Sequence, residues 1–214
     1  MNGRGRRSLV DRASALGVTD RRVLDALRDI PRVAFVPPAA RLVANRDAPV
    51  PIGHGQTTSQ PSLIAHIVAA LELNSTDRVL EVGTGLGYQT ALLARVAGKV
   101  YSIDRFADLV AAAAGNLASQ HIHNVELTVG DGTQGWPDSA PFDAIVVSAA
   151  FEAVPPPLVG QLVDGGRLVQ PLGAQRGDDL LLFRRHAGAL VVARNLGTAR
   201  FVPLRGRHGR ADDT

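Results

Sequence analysis

The chain has 214 residues, 45% of them apolar, no cysteine, and 23 basic against 20 acidic side chains for a net charge of only +3. A chain of this length and apolar content can bury roughly 70% of its unfolded surface, which excludes a disordered protein and one that needs staples. Zero cysteine excludes a disulfide framework, a thiolate metal site and a thiol nucleophile, and apolar runs such as 63–71 are too short and too interrupted to span a bilayer.

The basic start, Met1 to Arg7, is followed by no apolar signal stretch, so a cytoplasmic protein is expected. The isoelectric point near 10.1 reflects a preference for arginine, since Lys99 is the sole lysine. Asp11, Asp20, Asp25, Asp29 and Asp47 interleave with the early arginines, which reads as a mixed-charge surface rather than a phosphate-tracking stripe. Neither a nucleic acid nor a membrane is expected as a partner. Residues 1–17 are expected to be mobile.

The first expected helix runs from Asp20 to Ile30, with Thr19 as its cap and Val23, Leu24, Leu27 and Ile30 on one apolar face. Residues 31–58, rich in Pro, Gly and short apolar pieces, read as irregular. A second helix spans about Gln60 to Leu71 with Pro61 in its first turn. Then strands alternate with helices. Strands are expected at 78–82, 99–103, 125–129, 142–147 and 167–171, and helices at 88–97, 106–119 and 157–162. Residues 180–184 and 190–195, joined around Gly188, read as an antiparallel hairpin, and 201–204 as a last extended piece. The tail 206–214 is expected to be mobile. This order predicts an α/β fold, a doubly wound and mostly parallel sheet preceded by a helical and irregular extension. The ligand should lie beyond the carboxyl ends of the strands, at the switch point beside the first strand.

That first strand runs into Glu81-Val82-Gly83-Thr84-Gly85-Leu86-Gly87-Tyr88. A dinucleotide fingerprint places its third glycine three residues after the second, where this chain has Tyr88. Gly83-x-Gly85-x-Gly87 with Glu81 just before it suits S-adenosyl-L-methionine better: a sulfonium ligand brings no pyrophosphate, which Glu81 would oppose. Asp104 ends the second strand, where a carboxylate can accept both ribose hydroxyls. Asp131-Gly132 follows the third, where a carboxylate could receive the adenine amino group. The plainer alternative makes the glycines turn residues and the two aspartates helix caps; convergence of three strand ends on one cleft favours the cofactor. Ser148-Ala149-Ala150-Phe151 after the fourth strand lacks the Asn/Asp-Pro-Pro-aromatic run that holds an amine acceptor.

These residues resemble the protein-L-isoaspartate O-methyltransferase family. The resemblance runs from about Asp20 to Leu204. It includes Ile30-Pro31-Arg32, Phe35-Val36-Pro37, the loop Ile52-Gly53-His54-Gly55-Gln56-Thr57-Thr58-Ser59-Gln60-Pro61, the segment Val79 to Tyr88, Gly130-Asp131-Gly132, and Phe201-Val202-Pro203-Leu204. The resemblance implies a seven-stranded, Rossmann-like class I methyltransferase domain over the whole chain, with residues 1–75 on the acceptor side, 76–204 as the cofactor core and a short tail. It implies methyl transfer from S-adenosyl-L-methionine to the α-carboxylate of L-isoaspartyl residues in damaged proteins and peptides. A monomer is expected, although oligomeric state is not readable from the residues. The cofactor would be held by Glu81, Gly83, Thr84, Gly85, Gly87, Asp104, Asp131 and Gly132, and the substrate by Ile52, Gln56, Thr57, Thr58 and Ser59. Ser59 stands at the family's active-site position. Its residue type and place equally suit a cap for the following helix, and the two roles are compatible.

Three positions depart from the family's usual pattern. Asp104 stands where it usually has Glu, Thr58 where it usually has Ile, and Ser62 where it usually has an aromatic or His. The last two motivate an alternative acceptor, an ordinary aspartate in a dedicated peptide. A carboxylate acceptor is already ionised at neutral pH and needs no base, so His54, Asp131 and Asp143 need not act as one. His121-Ile122-His123 has no acidic or third histidine neighbour in sequence and reads as a solvated turn rather than a metal site.

Overall fold

The computed structural model describes residues 3–173 and 177–211. Its centre is a seven-stranded sheet of β3 (Arg78–Val82), β4 (Lys99–Asp104), β5 (Val125–Val129), β6 (Phe142–Val147), β7 (Leu162–Leu172), β8 (Asp178–His186) and β9 (Ala189–Ala199), in the order β5-β4-β3-β6-β7-β8-β9. β5, β4, β3, β6 and β7 are parallel, and β8 and β9 close the sheet as an antiparallel hairpin. The chain steps outward from β3 to β4 and β5, then returns to β6 on β3's other side. The crevice at this reversal is where an open α/β sheet binds its ligand.

The inner strands are almost continuously apolar because both sheet faces are covered. Along β3, Val79 joins a core shared with α1 (Gly3–Ala15), α2 (Arg21–Asp29), α3 (Pro61–Ala70) and α4 (Tyr88–Val96). Leu80 and Val82 face the opposite core, built with Phe142, Leu158, Leu162 and Leu204. The helices α5 (Ala107–Ser119) and α6 (Pro156–Gln161) complete the layers. No described helix is long and apolar enough to cross a membrane, and the described residues contain no group of three potential metal ligands.

Several local features differ from expectation. The early arginine-rich segment, expected to be mobile, forms α1, in which Leu9 and Ala13, four residues apart, are buried against α2 and α3. Asp20, not Thr19, caps α2. Asp20 holds the extended backbone of a cap and accepts the Arg22 amide at 2.9 Å, a cap worth about 1 kcal/mol. Residues 31–58 contain two 3₁₀ turns (Arg32–Phe35 and Pro38–Val43) and a hairpin of β1 (Val50–Gly53) and β2 (Gln56–Thr58). Gly53 pairs with Gln56, so the hairpin loop is His54-Gly55, with φ of 51° and 68°. Positive φ at both central residues is the type I′ arrangement that matches strand twist. The helix expected at 157–162 lies one residue earlier, at Pro156–Gln161, and β7, expected from 167, begins at Leu162, which pairs with Phe142 before the ladder skips Val163 to Gly166 and resumes at Arg167. Residues 205–211 of the tail are fixed against Asp131 and Thr133 rather than loose, and 212–214 lie outside the described residues.

Candidate active site

A cavity of about 480 Å³ opens at the carboxyl ends of β3 and β4, within the size range of small-molecule sites. Gly83, Gly85, Ile103, Asp104 and Gly132 form its floor, the hairpin residues Ile52, His54, Gln56 and Thr57 one wall, and Val202, Leu204 and Arg205 another. A second cavity of about 40 Å³ adjoins it, sharing Ile52, Thr57, Gly83, Gly85 and Ser148, and is lined further by Thr58, Ser59, Thr84, Tyr88 and Gln89. The loop carrying Ser59 thus closes directly on the glycine turn.

The glycine turn is shaped from two sides. Gly85 has φ of 54°, and a Cβ there would lie 3.0 Å from Ile52 Cδ1 of the hairpin. Its amide donates to Asp104 Oδ2 at 2.8 Å, while Asp104 Oδ1 accepts the Phe106 amide at 3.1 Å. Asp104 is 9% exposed and lines the large cavity. At the third strand end only Gly132 reaches the cavity, and it must be glycine because a Cβ would overlap the Val82 side chain.

The other expected cofactor residues stand elsewhere. The Glu81 carboxylate lies beneath the turn, wholly buried, and accepts from Gln89 Nε2 at 3.0 Å, Thr90 Oγ1 at 2.5 Å and Ser102 Oγ at 2.6 Å. Burial pushes its carboxyl up to about 7, although those three donors oppose the rise. It lines neither cavity. Gln89 also donates to Ser148 Oγ at 2.9 Å, so Glu81 braces the turn through neighbours. The Thr84 hydroxyl likewise turns inward, 2.6 Å from Ser102 Oγ, although the residue borders the small cavity. Gly87 caps α4 and packs against Ala113 of α5, away from both cavities.

Asp131 differs most from expectation. It lines neither cavity; its carboxylate caps the 3₁₀ turn Gly132–Gln134 and accepts from the Thr133 amide at 2.9 Å, Thr133 Oγ1 at 2.6 Å and the Arg207 amide at 2.8 Å. Burial would raise its carboxyl, but the Arg207 amide and the Thr133 donors hold it below the ordinary range. It anchors the chain segment that forms one cavity wall.

Ser59 is half-buried, and Gln60 rather than Ser59 occupies the cap position of α3. The start of α3 is held instead by Asp47, which accepts the Ser62 amide at 2.9 Å and the Ser62 hydroxyl at 2.7 Å. Ser62, 1% exposed, therefore serves the helix start and lines neither cavity. At the hairpin tip, His54 Nε2 lies 2.8 Å from Asp108 Oδ2 and its ring stacks on Phe106 at 4.2 Å, tying the hairpin to the start of α5 beside the large cavity.

Sequence reasoning missed Ser148, Phe106 and the wall formed by Val202, Leu204 and Arg205. Ser148 directly follows the fourth parallel strand and could have been found from that position alone. The wall could not, because it depends on bonding between Ala150 and residues 202 and 204, far apart in sequence.

The family model for protein-L-isoaspartate(D-aspartate) O-methyltransferase matches residues 4–209. A protein-L-isoaspartate O-methyltransferase of Methanoculleus marisnigri is 50% identical over 91% of this chain and 88% of its own length. One from Pelotomaculum thermopropionicum is 44% identical over 99% of this chain and 93% of its own. A solved protein-L-isoaspartate O-methyltransferase structure superposes with a TM-score of 0.84 at 30% identity, covering 95% of this chain and 67% of that one. A Plasmodium falciparum structure of a similar protein, in complex with S-adenosyl-L-homocysteine, gives 0.77 at 24% identity over 92% of this chain and 97% of that one, which supports the fold.

Proposed function

The chain belongs to the protein-L-isoaspartate(D-aspartate) O-methyltransferase family, and we propose that within it Asp104 and the Gly83–Gly85 turn hold the cofactor while Ser59 and its loop hold the acceptor carboxylate. The protein is an S-adenosyl-L-methionine-dependent methyltransferase of protein repair. The adjoining cavities carry the residue-level reading: the large one contains Asp104 and the small one Ser59, and the glycine turn borders both.

The residues of the large cavity fit this cofactor. Gly83, Gly85 and Gly132 present bare backbone, Asp104 offers a carboxylate for vicinal hydroxyls, and Ile103, Leu109 and Val202 supply apolar walls for a heterocycle. When bound, the cofactor supplies an activated methyl group on a sulfonium. Gln56 and Thr57 border the side of the cavity from which an acceptor enters, and Thr58 and Ser59 border the small cavity beyond it. We assign Ser59 the task of donating to the acceptor carboxylate and fixing the direction of its attacking oxygen. The carboxylate arrives ionised, so the chain supplies orientation and exclusion of water rather than a base. Alignment of this kind accounts for up to ~7–11 kcal/mol of barrier reduction in well-oriented reactions.

We further propose that residues up to 75 form the acceptor side and 76–204 the cofactor core. We assign the acceptor as the α-carboxylate of L-isoaspartyl residues, and the setting as a monomer in the cytoplasm. Incubation with an isoaspartyl peptide and cofactor labelled in its methyl group tests the carboxylate assignment. A base-labile ester that releases labelled methanol is expected, and a base-stable product overturns it.

A further inference from the structure

Arg32 is 1% exposed, an unusual place for a guanidinium. All four of its hydrogen bonds go to backbone carbonyls: Nη1 donates to Ala44 at 3.1 Å and Arg46 at 3.0 Å, and Nη2 to Ala48 and Ser59, both at 3.0 Å. It makes no ion pair among the described residues. The Asp47 carboxylate is close enough to favour its charge but is bonded to Ser62. The guanidinium carbon lies 5.8 Å from the centre of the Tyr88 ring. Ser59, whose carbonyl Arg32 holds, and Tyr88, whose ring it faces, both line the small cavity.

A buried cation without an ion-pair partner is costly unless its donors are satisfied or an anion is brought to it. Here a planar fork gathers three carbonyls of the 44–48 turn and the Ser59 carbonyl at one point, which a lysine cannot do. The same group places a positive charge beside two residues of the small cavity's lining, Ser59 and Tyr88.

We propose that Arg32 is a positioning residue for the acceptor. Its guanidinium sets the Ser59 loop through the Ser59 carbonyl, and its charge favours an incoming substrate carboxylate through the wall of the small cavity. The proposal rests on the assignment of Ser59 to the acceptor side. It separates acceptor binding from cofactor binding, because Arg32 and its carbonyl partners lie outside the large cavity.

The test compares the full-length wild type with Arg32→Lys and Arg32→Met, measuring the isoaspartyl-peptide KM and, by calorimetry, the Kd for S-adenosylhomocysteine. Arg32→Lys, which keeps the charge and loses the fork, is expected to raise the peptide KM about tenfold, and Arg32→Met more than that. The Kd stays within twofold of wild type in both. A peptide KM within twofold of wild type in both variants, or a Kd weakened in parallel with it, overturns the proposal. Where the variants lose a native thermal transition, arginine-selective ¹⁵N spectra of the wild type decide. The exchange-protected guanidinium signals should shift when isoaspartyl peptide is added to the S-adenosylhomocysteine complex, and an unchanged spectrum overturns the proposal. Wild-type protein that transfers no methyl group to the peptide overturns the functional reading and this proposal together, whereas active wild type with an unmoved KM overturns this proposal alone.

Discussion

The amide of Gly85 donates to the carboxylate of Asp104 at 2.8 Å, so the turn after the first parallel strand and the end of the second are tied together at the cavity floor. One carboxylate thereby shapes the glycine turn and faces the space that the cofactor would fill. Asp104→Ala should weaken S-adenosylhomocysteine binding by about ten- to a hundredfold, the range set by hydrogen bonds to a charged group. Isothermal calorimetry reads this directly, and wild-type affinity in the variant would contradict the assignment.

Ser59→Ala should lower kcat/KM for an isoaspartyl peptide by about ten- to a hundredfold, on the same scale for a lost hydrogen bond to a carboxylate. It should leave cofactor affinity untouched. Ser59 does not occupy the cap position of α3, so the thermal midpoint should move little. Unchanged turnover would remove the serine from the acceptor site.

Glu81 makes stability depend on pH in an unusual direction. Its carboxyl titrates near 4.5 in an unfolded chain and at about 7 in the fold, chiefly because it is buried. Between those values the folded state keeps a proton that the unfolded state has lost. Stability should therefore fall as pH rises through this window and level off above it, by an amount on the order of 3 kcal/mol. Urea unfolding at intervals from pH 4.5 to 8 should show the decline in wild type and a flatter profile in Glu81→Gln. An identical slope in the variant would place the titrating group elsewhere.

Asp131 should matter through the tail rather than through the cofactor directly. Asp131→Ala removes the anchor for the Arg207 amide, and it should speed exchange of the Arg207 amide at least tenfold. Cofactor affinity should fall only several-fold, through loosening of the wall at Leu204 and Arg205. Because its hydrogen-bond donors hold the carboxyl low, the anchor persists in mild acid and is lost only as pH falls below the ordinary carboxylate range. A loss of affinity as large as that of Asp104→Ala would instead return Asp131 to the cofactor site.

What could be read in advance follows from the range of the forces involved. The parallel strands were legible because burial on both faces leaves nearly unbroken apolar runs such as Ala144 to Val147. The placement of Asp104 on the cavity followed from its position at a strand end. The role of α1 was hidden by its arginines, since among its described side chains only Leu9 and Ala13 are fully buried. His54-Gly55 carried a hairpin signal in its glycine, but the strands on either side are short. Asp131 follows the plainer alternative, a cap, while its hold on the Arg207 amide was not legible because the two lie 76 residues apart. Arg32 could not be placed because its partners are carbonyls, which every residue type carries. Ser62, a departure that had motivated another acceptor, turns out to bond Asp47 at a helix start. Thr58 is left as the departure bordering the small cavity.

The central claim is that the two adjoining cavities select an isoaspartyl carboxylate. Methyl transfer to two peptides that differ only in an isoaspartyl or a normal aspartyl linkage at one position tests it most directly. The account predicts transfer to the isoaspartyl peptide with kcat/KM at least a hundredfold above that for its aspartyl twin. Equal rates on both peptides, or faster transfer to the aspartyl one, would contradict it.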